Sequence, residues 1–415
     1  MTSSALPMPP LRIVERRLRA ITEHLASELS CPTPTAPAWN ELDWRLAQAV
    51  AAMHGVAPLL ATALRWEGPK GWRQYLEEQL THTRLREDRL IQLLEQIDSQ
   101  MRHDGIAIVP LKGSALRALG LYAPGERLMA DIDLLVHPED MNAAARALQA
   151  LGYREWCITP RHRCFAAGSL DARSALGEHA QNPLKIELHE RLTERLPLAE
   201  TEITALVLPD RAHHGSNGYP SRAALLVHVM LHAAGNIVHR SVRLVHLIDI
   251  ARLAARMTDA DWSELVAYGG EERRLWWAAA PLMLTARYFQ NALPRPILAR
   301  FAADCPWLLA RASRHRSLSD ASYSDPMMAP LPGIAWSRSL GELARYVANR
   351  VRPSPQWQAQ SAVLAQSYPW STESPWLRRT HVQRILGWLS RPMRLETRIS
   401  VQAALAPLSR PGESA

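Results

Sequence analysis

The 415-residue sequence predicts an α+β protein that is mostly helical and contains one small sheet. Apolar residues recur at helical spacing along residues 11–30 and again along residues 71–101. A short apolar run rich in β-branched residues at 106–110 is typical of a covered strand. Residues 184–189 alternate between apolar and polar side chains, which indicates another strand with one polar face.

Breaks in composition divide the chain into three regions. The second long helical pattern ends before Gly105, and a turn-rich stretch containing HHGSNGYPS follows Leu208. We therefore predict an N-terminal helical region over residues 1–104, a mixed α/β domain over 105–206 and a C-terminal helical domain over 221–405.

The charge balance suggests a phosphate-rich or acidic partner. The formal net charge is +8 at pH 7, and 47% of the residues are hydrophobic, as in a globular protein. The basic residues are spread along the chain, so they do not by themselves indicate nucleic acid. Only Lys70, Lys112 and Lys185 are lysines, and two of these three lie in the segments that carry the candidate site.

The cysteines and the N-terminus predict a reduced, cytoplasmic protein. Cys31, Cys157, Cys164 and Cys305 form no C-x-x-C pair and show no metal-binding spacing. The N-terminal residues lack an apolar core of signal-peptide length, and no run of 18 apolar residues occurs. We expect neither secretion nor membrane insertion.

The segment from Val109 to Val136 carries the candidate chemistry. It predicts a strand, a turn at Lys112-Gly113-Ser114, a short helix over residues 115–119, and a second strand that contains two aspartates. Glycine allows the backbone to turn sharply and to approach a ligand closely. We expect the side chain of Ser114 to cap the short helix.

The two aspartates of the second strand, Asp131 and Asp133, are separated by one residue. Because side chains alternate along a strand, both point to the same face, roughly 6–7 Å apart. Carboxylates held this close repel each other unless a cation lies between them, and oxygen ligands of this kind suit Mg²⁺. The alternative is a pair of aspartates at a solvent-exposed strand end.

The pairing of a Gly-Ser turn with a following D-x-D strand resembles the nucleotidyltransferases of the DNA polymerase β superfamily. The fuller string, Lys112-Gly113-Ser114 followed by Tyr122, Arg127 and D-I-D-L-L-V, is more narrowly similar to the bacterial family of uncharacterised nucleotidyltransferases. Leu151-Gly152-Tyr153, residues 186–189 and a His-rich helix near residue 230 continue the pattern. The resemblance covers residues 100–255.

This resemblance implies a small mixed-sheet nucleotidyltransferase domain at residues 105–206, flanked by helical regions. It implies two Mg²⁺ ions, with Mn²⁺ as a substitute, held by Asp131, Asp133 and a third acidic residue, Glu187, that would also take the proton of the attacking hydroxyl. The implied nucleotide ligands are the residues of the turn and a nearby cation: Lys112, Gly113, Ser114 and Arg127. If the resemblance did not hold, Glu187 would belong to an edge strand with a solvated face.

Further polar residues are candidate substrate contacts. Lys185 and His189 share the strand face of Glu187. His228 and His232, at i and i+4 of a helix, have a zinc-compatible spacing, but the segment lacks the glutamate of a metalloprotease motif. We expect them to contact substrate or to pack beside the site. Arg243 and Asp249 either face the nucleotide or form a buried ion pair.

The expected reaction is transfer of a nucleoside monophosphate from an NTP, with ATP as the assumed donor, to an acceptor hydroxyl. A small molecule, a protein side chain, an RNA end or a modified peptide all fit as acceptor. Members of the resembled family resemble accessory proteins of bacterial peptide natural products, including lasso peptides, so peptide tailoring is one expectation. The alternatives are a non-catalytic nucleotide-binding scaffold and an RNA-directed transferase, for example one acting on tRNA.

Overall fold

A computed structural model describes residues 9–159, 161–170, 174, 176–197, 200–208, 218–270, 274–322, 333–352, 355, 380, 382–383, 386 and 395–406. Seven strands are described: β1 Ile108–Pro110, β2 Ile132–Val136, β3 Arg154–Ile158, β4 His162–Ala166, β5 Lys185–His189, β6 Thr193–Arg195 and β7 Glu200–Glu202. The α-helices are labelled here α1 Leu11–Ser30, α2 Glu41–Met53, α3 Ala57–Ala63, α4 Lys70–His103, α5 Gly113–Ala118, α6 Met141–Ala150, α7 Thr204–Val207, α8 Arg222–His239, α9 Leu244–Ala254, α10 Asp259–Gly269, α11 Ala279–Tyr288, α12 Arg295–Asp304, α13 Trp307–His315, α14 Leu318–Ser322, α15 Leu340–Val351 and α16 Leu395–Leu405. Short 3₁₀ helices cover Pro138–Asp140, Trp276–Ala278 and Ile334–Trp336.

The main sheet has five strands in the order β1-β2-β5-β4-β3. Strands β2 and β5 pair in parallel, whereas the other neighbours pair antiparallel, so the sheet is mixed. Strands β6 and β7 form a separate two-stranded sheet. The predicted fold class, α+β and mostly helical with a small mixed sheet, is confirmed.

One face of the sheet is apolar and packs against helices α4 and α6. Alternate residues of the strands, such as Ile132, Leu134 and Ile186, join Ile97 of α4 and Leu148 of α6 in one buried core. The alternation that places these residues on one face sends Asp133, Glu187 and their neighbours to the opposite face. The amphipathic strands therefore fix which side of the sheet can carry a site.

A second apolar core joins the two ends of the chain. Buried residues of α1, α2 and α3 pack in one continuous cluster with residues of α8, α9 and α11, and α16 contacts α2. The N-terminal and C-terminal helices therefore share a core in the described structure. The division into three regions stays a prediction.

Most helix boundaries follow the sequence pattern, but the expected cap at Ser114 is wrong. Helix α5 begins at Gly113, the capping position is Lys112, and no side chain caps the helix. Ser114 lies inside the first turn and is buried, because the chain turns one residue earlier than predicted. The predicted helical stretch after residue 223 forms two helices, with Arg240 in the left-handed conformation between them.

Parts of the predicted organisation lie outside the described residues, including most of the turn-rich stretch 208–221. Within the described part of the chain, no single helix combines the length and the apolar character needed to cross a membrane. Helices α2 and α3 satisfy the criterion of length and composition only when taken together, with a bend of 112° between them.

Candidate active site

The turn between β1 and α5 is conformationally strained. Lys112 adopts φ 47° and ψ −111°, a region that side-chain-bearing residues rarely occupy. A Cβ atom added to Gly113 would overlap Nη1 of Arg127 and would lie 3.0 Å from Cγ of Met129. A side chain at position 113 would therefore force Arg127 and Met129 to shift, and the ammonium of Lys112 lies over the polar face of the sheet beside Asp133.

Three carboxylates converge on the polar face of the sheet. Asp133 of β2 and Glu187 of β5 are direct partners in the parallel ladder, and Asp131 precedes β2. Oδ1 of Asp133 accepts a hydrogen bond from Nζ of Lys112 at 3.1 Å and lies 3.0 Å from Nε2 of His189. The structure thus brings together Lys112, Asp131, Asp133, Glu187 and His189, which the sequence places on three separate segments.

The electrostatics of this cluster show an excess of negative charge. Burial, Asp133 and Glu187 together raise the pKa of Asp131 to about 7. Burial would raise the pKa of Asp133 as well, but Lys112 and His189 hold it well below its usual range. Burial disfavours the charge of Lys112, yet Asp133, Glu187 and Asp131 raise its pKa above the ordinary value. One ammonium does not balance three carboxylates, so the cluster has the charge and the oxygen donors that bind a divalent cation.

Two histidines adjoin the carboxylates on the side of Glu187. Nε2 of His162 lies 3.6 Å from Oε2 of Glu187, and Nε2 of His189 lies 3.7 Å from the same oxygen. His162 and His189 face each other across strands β4 and β5, with ring centroids 4.9 Å apart. His162 is a site residue that the sequence reasoning did not identify; it is the first residue of β4. The alternation of His162 and Cys164 with Arg163 and Phe165 was the available signal.

Helix α8 and Tyr219, which precedes it, form a helical wall beside this part of the sheet. The hydroxyl of Tyr219 accepts a hydrogen bond from the amide of Lys112 at 3.4 Å and lies 2.6 Å from Nδ1 of the buried His228. His228 therefore packs beside the site, one of its two expected roles. Nδ1 of His232 lies 3.6 Å from Oε1 of Glu194, which also accepts a hydrogen bond from Arg161 at 3.0 Å through Oε2.

Arg127 lies beside the turn, but its guanidinium is held by Asp249. Nε and Nη2 of Arg127 donate to the two carboxylate oxygens of Asp249 at 2.8 and 2.6 Å, and the hydroxyl of Tyr122 adds a bond of 2.6 Å to Oδ1. Asp249 therefore does form a buried ion pair, but its partner is Arg127 and not Arg243. The guanidinium of Arg127 lies beside Gly113 and contacts Asp249 of α9, whereas Arg243 donates to the carbonyl of Met53.

Arg243 and Lys185 occupy the margins of the site. Nε of Arg243 donates to the carbonyl of Met53 at 3.1 Å, and its charge favours the ionised form of Asp131. Lys185 lies over the ring of Trp156, with Nζ 6.0 Å from the ring centroid, and no hydrogen bond or ion pair to the carboxylates is described for it. Both contacts are within the protein, so the roles of Arg243 and Lys185 as substrate contacts stay predictions.

One comparison with known proteins identifies the family of the chain. A family described as uncharacterised nucleotidyltransferases matches residues 40–290. No curated protein and no solved structure matches the chain. The match extends over more than half of the sequence and includes the turn, the carboxylate cluster and the helical wall. The chain belongs to this family of nucleotidyltransferases, and it is an enzyme of that class.

Proposed function

We propose that the enzyme transfers a nucleoside monophosphate from an NTP, in the first instance ATP, to an acceptor hydroxyl with release of pyrophosphate. The observation that carries this proposal is the convergence of Asp131, Asp133 and Glu187 on one sheet face beside Lys112. A protein that only bound nucleotide would gain nothing from three carboxylates held against their mutual repulsion.

The carboxylates fit the divalent metal ions, Mg²⁺ or Mn²⁺, that the family resemblance implies. Burial and the acidic neighbours raise the pKa of Asp131 to about 7, and a bound cation would relieve the repulsion among these carboxylates. Asp131, Asp133 and Glu187 would hold the ions, which when bound neutralise triphosphate charge and lower the pKa of the acceptor hydroxyl.

The residues of the turn would bind and orient the triphosphate. The amide of Ser114 already donates to the carbonyl of Leu111 at 3.2 Å, which leaves the amide of Gly113 and the hydroxyl of Ser114 as donors to phosphate. Nζ of Lys112 would shift from Asp133 toward the phosphates and compensate the charge that develops as pyrophosphate leaves. Arg127, tied to Asp249, would act by positioning Gly113 rather than by touching the nucleotide.

Acceptor recognition would fall to the groups around the cluster. Glu187 would accept the proton of the acceptor hydroxyl, His189 beside it would contact the acceptor, and Lys185, His232 and Arg243 would be further substrate contacts at the margins of the site. The resemblance to accessory proteins of lasso-peptide biosynthesis makes a peptide hydroxyl the first acceptor to test. Free thiols at all four cysteines and the need for NTP support a cytoplasmic enzyme.

The test is pyrophosphate release from each of the four NTPs with Mg²⁺ or Mn²⁺, in the presence of peptide, tRNA and small-molecule fractions. The wild type should release pyrophosphate, and the double variant Asp131→Asn/Asp133→Asn should not. Glu139→Gln, an exposed acid just beyond β2, is the matched control and should keep full activity.

Two other outcomes would replace the proposal. Tight NTP binding without pyrophosphate release under any condition would identify a nucleotide-binding scaffold. Activity with tRNA that falls steeply as salt rises would identify an RNA-directed transferase, because neutralised phosphates release counterions.

A further inference from the structure

We propose that His162, Glu187 and His189 form a binding site for a divalent transition metal ion, such as Mn²⁺, Co²⁺ or Zn²⁺, that fills without nucleotide. Among the described residues, these three form the one group of at least three His, Cys, Asp or Glu side chains whose ligand atoms all lie within 4.8 Å of one another. The site shares Glu187 and its fourth donor, Asp133, with the proposed nucleotide-linked metal positions, but metal binding at it does not depend on nucleotidyl transfer.

The distances between the donor atoms match shared coordination better than hydrogen bonding. Nε2 of His162 and Nε2 of His189 lie 3.6 and 3.7 Å from Oε2 of Glu187, beyond the normal range for a hydrogen bond. Ligand atoms placed tetrahedrally about 2.1 Å from one ion are separated by roughly 3.4 Å. The separations of Oε2 of Glu187 from the two imidazole nitrogens are therefore close to the spacing that one small ion would impose, and all three donors lie within 4.8 Å of one another.

A fourth protein donor is within reach of the same ion. Oδ1 of Asp133 lies 3.0 Å from Nε2 of His189, so a donor set of two imidazole nitrogens and two carboxylate oxygens converges from β2, β4 and β5. Imidazole nitrogen suits Zn²⁺ and other transition metal ions, and the two carboxylate oxygens also suit Mn²⁺, whereas Mg²⁺ prefers oxygen ligands and retains its waters. The histidines thus distinguish this site from an all-oxygen Mg²⁺ site.

The environment of His162 argues against a purely structural histidine. Its Nδ1 is buried and has no hydrogen-bond partner among the described residues, so every polar contact described for the ring involves Nε2. Burial without a hydrogen bond at Nδ1 carries a desolvation cost. The 3.6 Å contact with Glu187 offsets little of this cost, so Nε2 is the ring nitrogen that faces the other donors and is left for a metal ion.

The experiment titrates Co²⁺ into the full-length, chelator-treated protein in the absence of nucleotide. Visible absorption follows the binding, and pulsed electron paramagnetic resonance of the Mn²⁺-loaded protein detects imidazole nitrogen on the ion. We expect a strong site with a nitrogen signal in the wild type. His162→Gln should lower the Co²⁺ affinity by at least about 100-fold, the upper end of the loss seen when only an outer-shell partner is removed. The nitrogen signal should weaken in parallel.

His103→Gln, an exposed histidine at the end of α4, is the matched control and should bind Co²⁺ like the wild type. His189→Gln gives a second ligand variant if His162→Gln fails to fold, as judged by circular dichroism. The inference is overturned if the wild type binds Co²⁺ no more tightly than Mg²⁺, or if both ligand variants retain wild-type affinity. Metal binding with imidazole nitrogen but no pyrophosphate release would remove the proposed function and leave this site intact.

Discussion

Asp133 and Glu187 lie directly opposite each other on adjacent parallel strands, β2 and β5. The register places the two carboxylates on one face, with Asp131 two residues before Asp133 on the same face. Their mutual repulsion appears in the pKa of Asp131, which burial and these two neighbours raise to about 7. The metal-free protein therefore carries an energetic cost at its candidate site, as functional sites often do.

The first prediction concerns that cost. Asp131→Asn should abolish activity and should stabilise the metal-free protein at pH 8. The folded-state pKa of Asp131 is raised above the unfolded value, so its contribution to stability is full below the unfolded pKa, near 4, and is lost as pH rises to about 7. Asparagine does not titrate. The variant should therefore exceed the wild type by a few kcal/mol at pH 8, by order of magnitude.

Urea unfolding in the presence of a chelator measures this difference at pH 5, 6.5 and 8. The gap between variant and wild type should widen with rising pH and level off above pH 7. Glu139→Gln, on the exposed turn after β2, should show no such dependence. An equal gap at every pH would mean that neither burial nor the neighbouring carboxylates raise the pKa of Asp131 in the folded state.

Local periodicity explains why part of the site was predictable. Asp133 lies in β2 with Asp131 directly before that strand, and Glu187 and His189 occupy alternate positions of β5, so each face follows from a period of two. The sequence alone also indicated the turn before α5. These features depend on residues that are near neighbours in the chain.

The partners across the site were not predictable because they depend on packing between distant segments. The contact of Tyr219 with Lys112 and that of Asp249 with Arg127 join residues more than a hundred positions apart. The sequence contains several arginines that could have paired with Asp249, and no local signal selects one of them. His162 was missed for a simpler reason, since strand ends are the least certain part of a periodic pattern.

The second prediction addresses the pair formed by Arg127 and Asp249. Asp249→Asn should lower the free energy of unfolding by about 3–5 kcal/mol, because it leaves a buried guanidinium without its counter-charge. Activity should fall as well, since Arg127 supports the turn at Gly113. Urea unfolding and pyrophosphate release measure the two effects.

Glu342→Gln provides the control for that prediction. It removes the partner of Arg338 in an ion pair at the start of α15, where the arginine precedes the helix and its side chain is 52% exposed. Exposed pairs of this kind contribute about 0–1 kcal/mol. If Asp249→Asn cost no more than Glu342→Gln, the pair would not be a structural support of the turn.

The third prediction separates the charge of Lys112 from the strain of its backbone. Lys112→Ala and Lys112→Gly both remove the ammonium that contacts Asp133, so both should lower activity by a similar factor. They should differ in stability, because φ 47° disfavours any residue with a Cβ atom. Lys112→Gly should be more stable than Lys112→Ala by about 1 kcal/mol.

Thermal unfolding and pyrophosphate release distinguish these two contributions. The same pair of substitutions at Arg117, in the last turn of α5, should reverse the order, because glycine is less favourable than alanine inside a helix. Equal stability of the two Lys112 variants would indicate that the turn relaxes to an ordinary conformation in solution.

The last prediction concerns Glu194 of β6, whose carboxylate lies beside His232 of α8. Burial opposes the charge of Glu194, but the adjacent imidazole of His232 and the guanidinium of Arg161 lower its pKa to about 2. Because the folded-state pKa is below the unfolded value, Glu194 stabilises the fold above pH 4.5, and this contribution is lost as pH falls toward 2. Glu194→Gln should therefore be less stable than the wild type at pH 7, by about 3 kcal/mol, and the difference should shrink through that acid range.

Glu202→Gln, which removes an acid that is 40% exposed beside Arg191, should change stability much less. Urea unfolding from pH 7 to pH 2.5 measures the difference. If the stability deficit of Glu194→Gln stayed the same down to pH 2.5, the contribution of Glu194 would come from its packing and not from its charge.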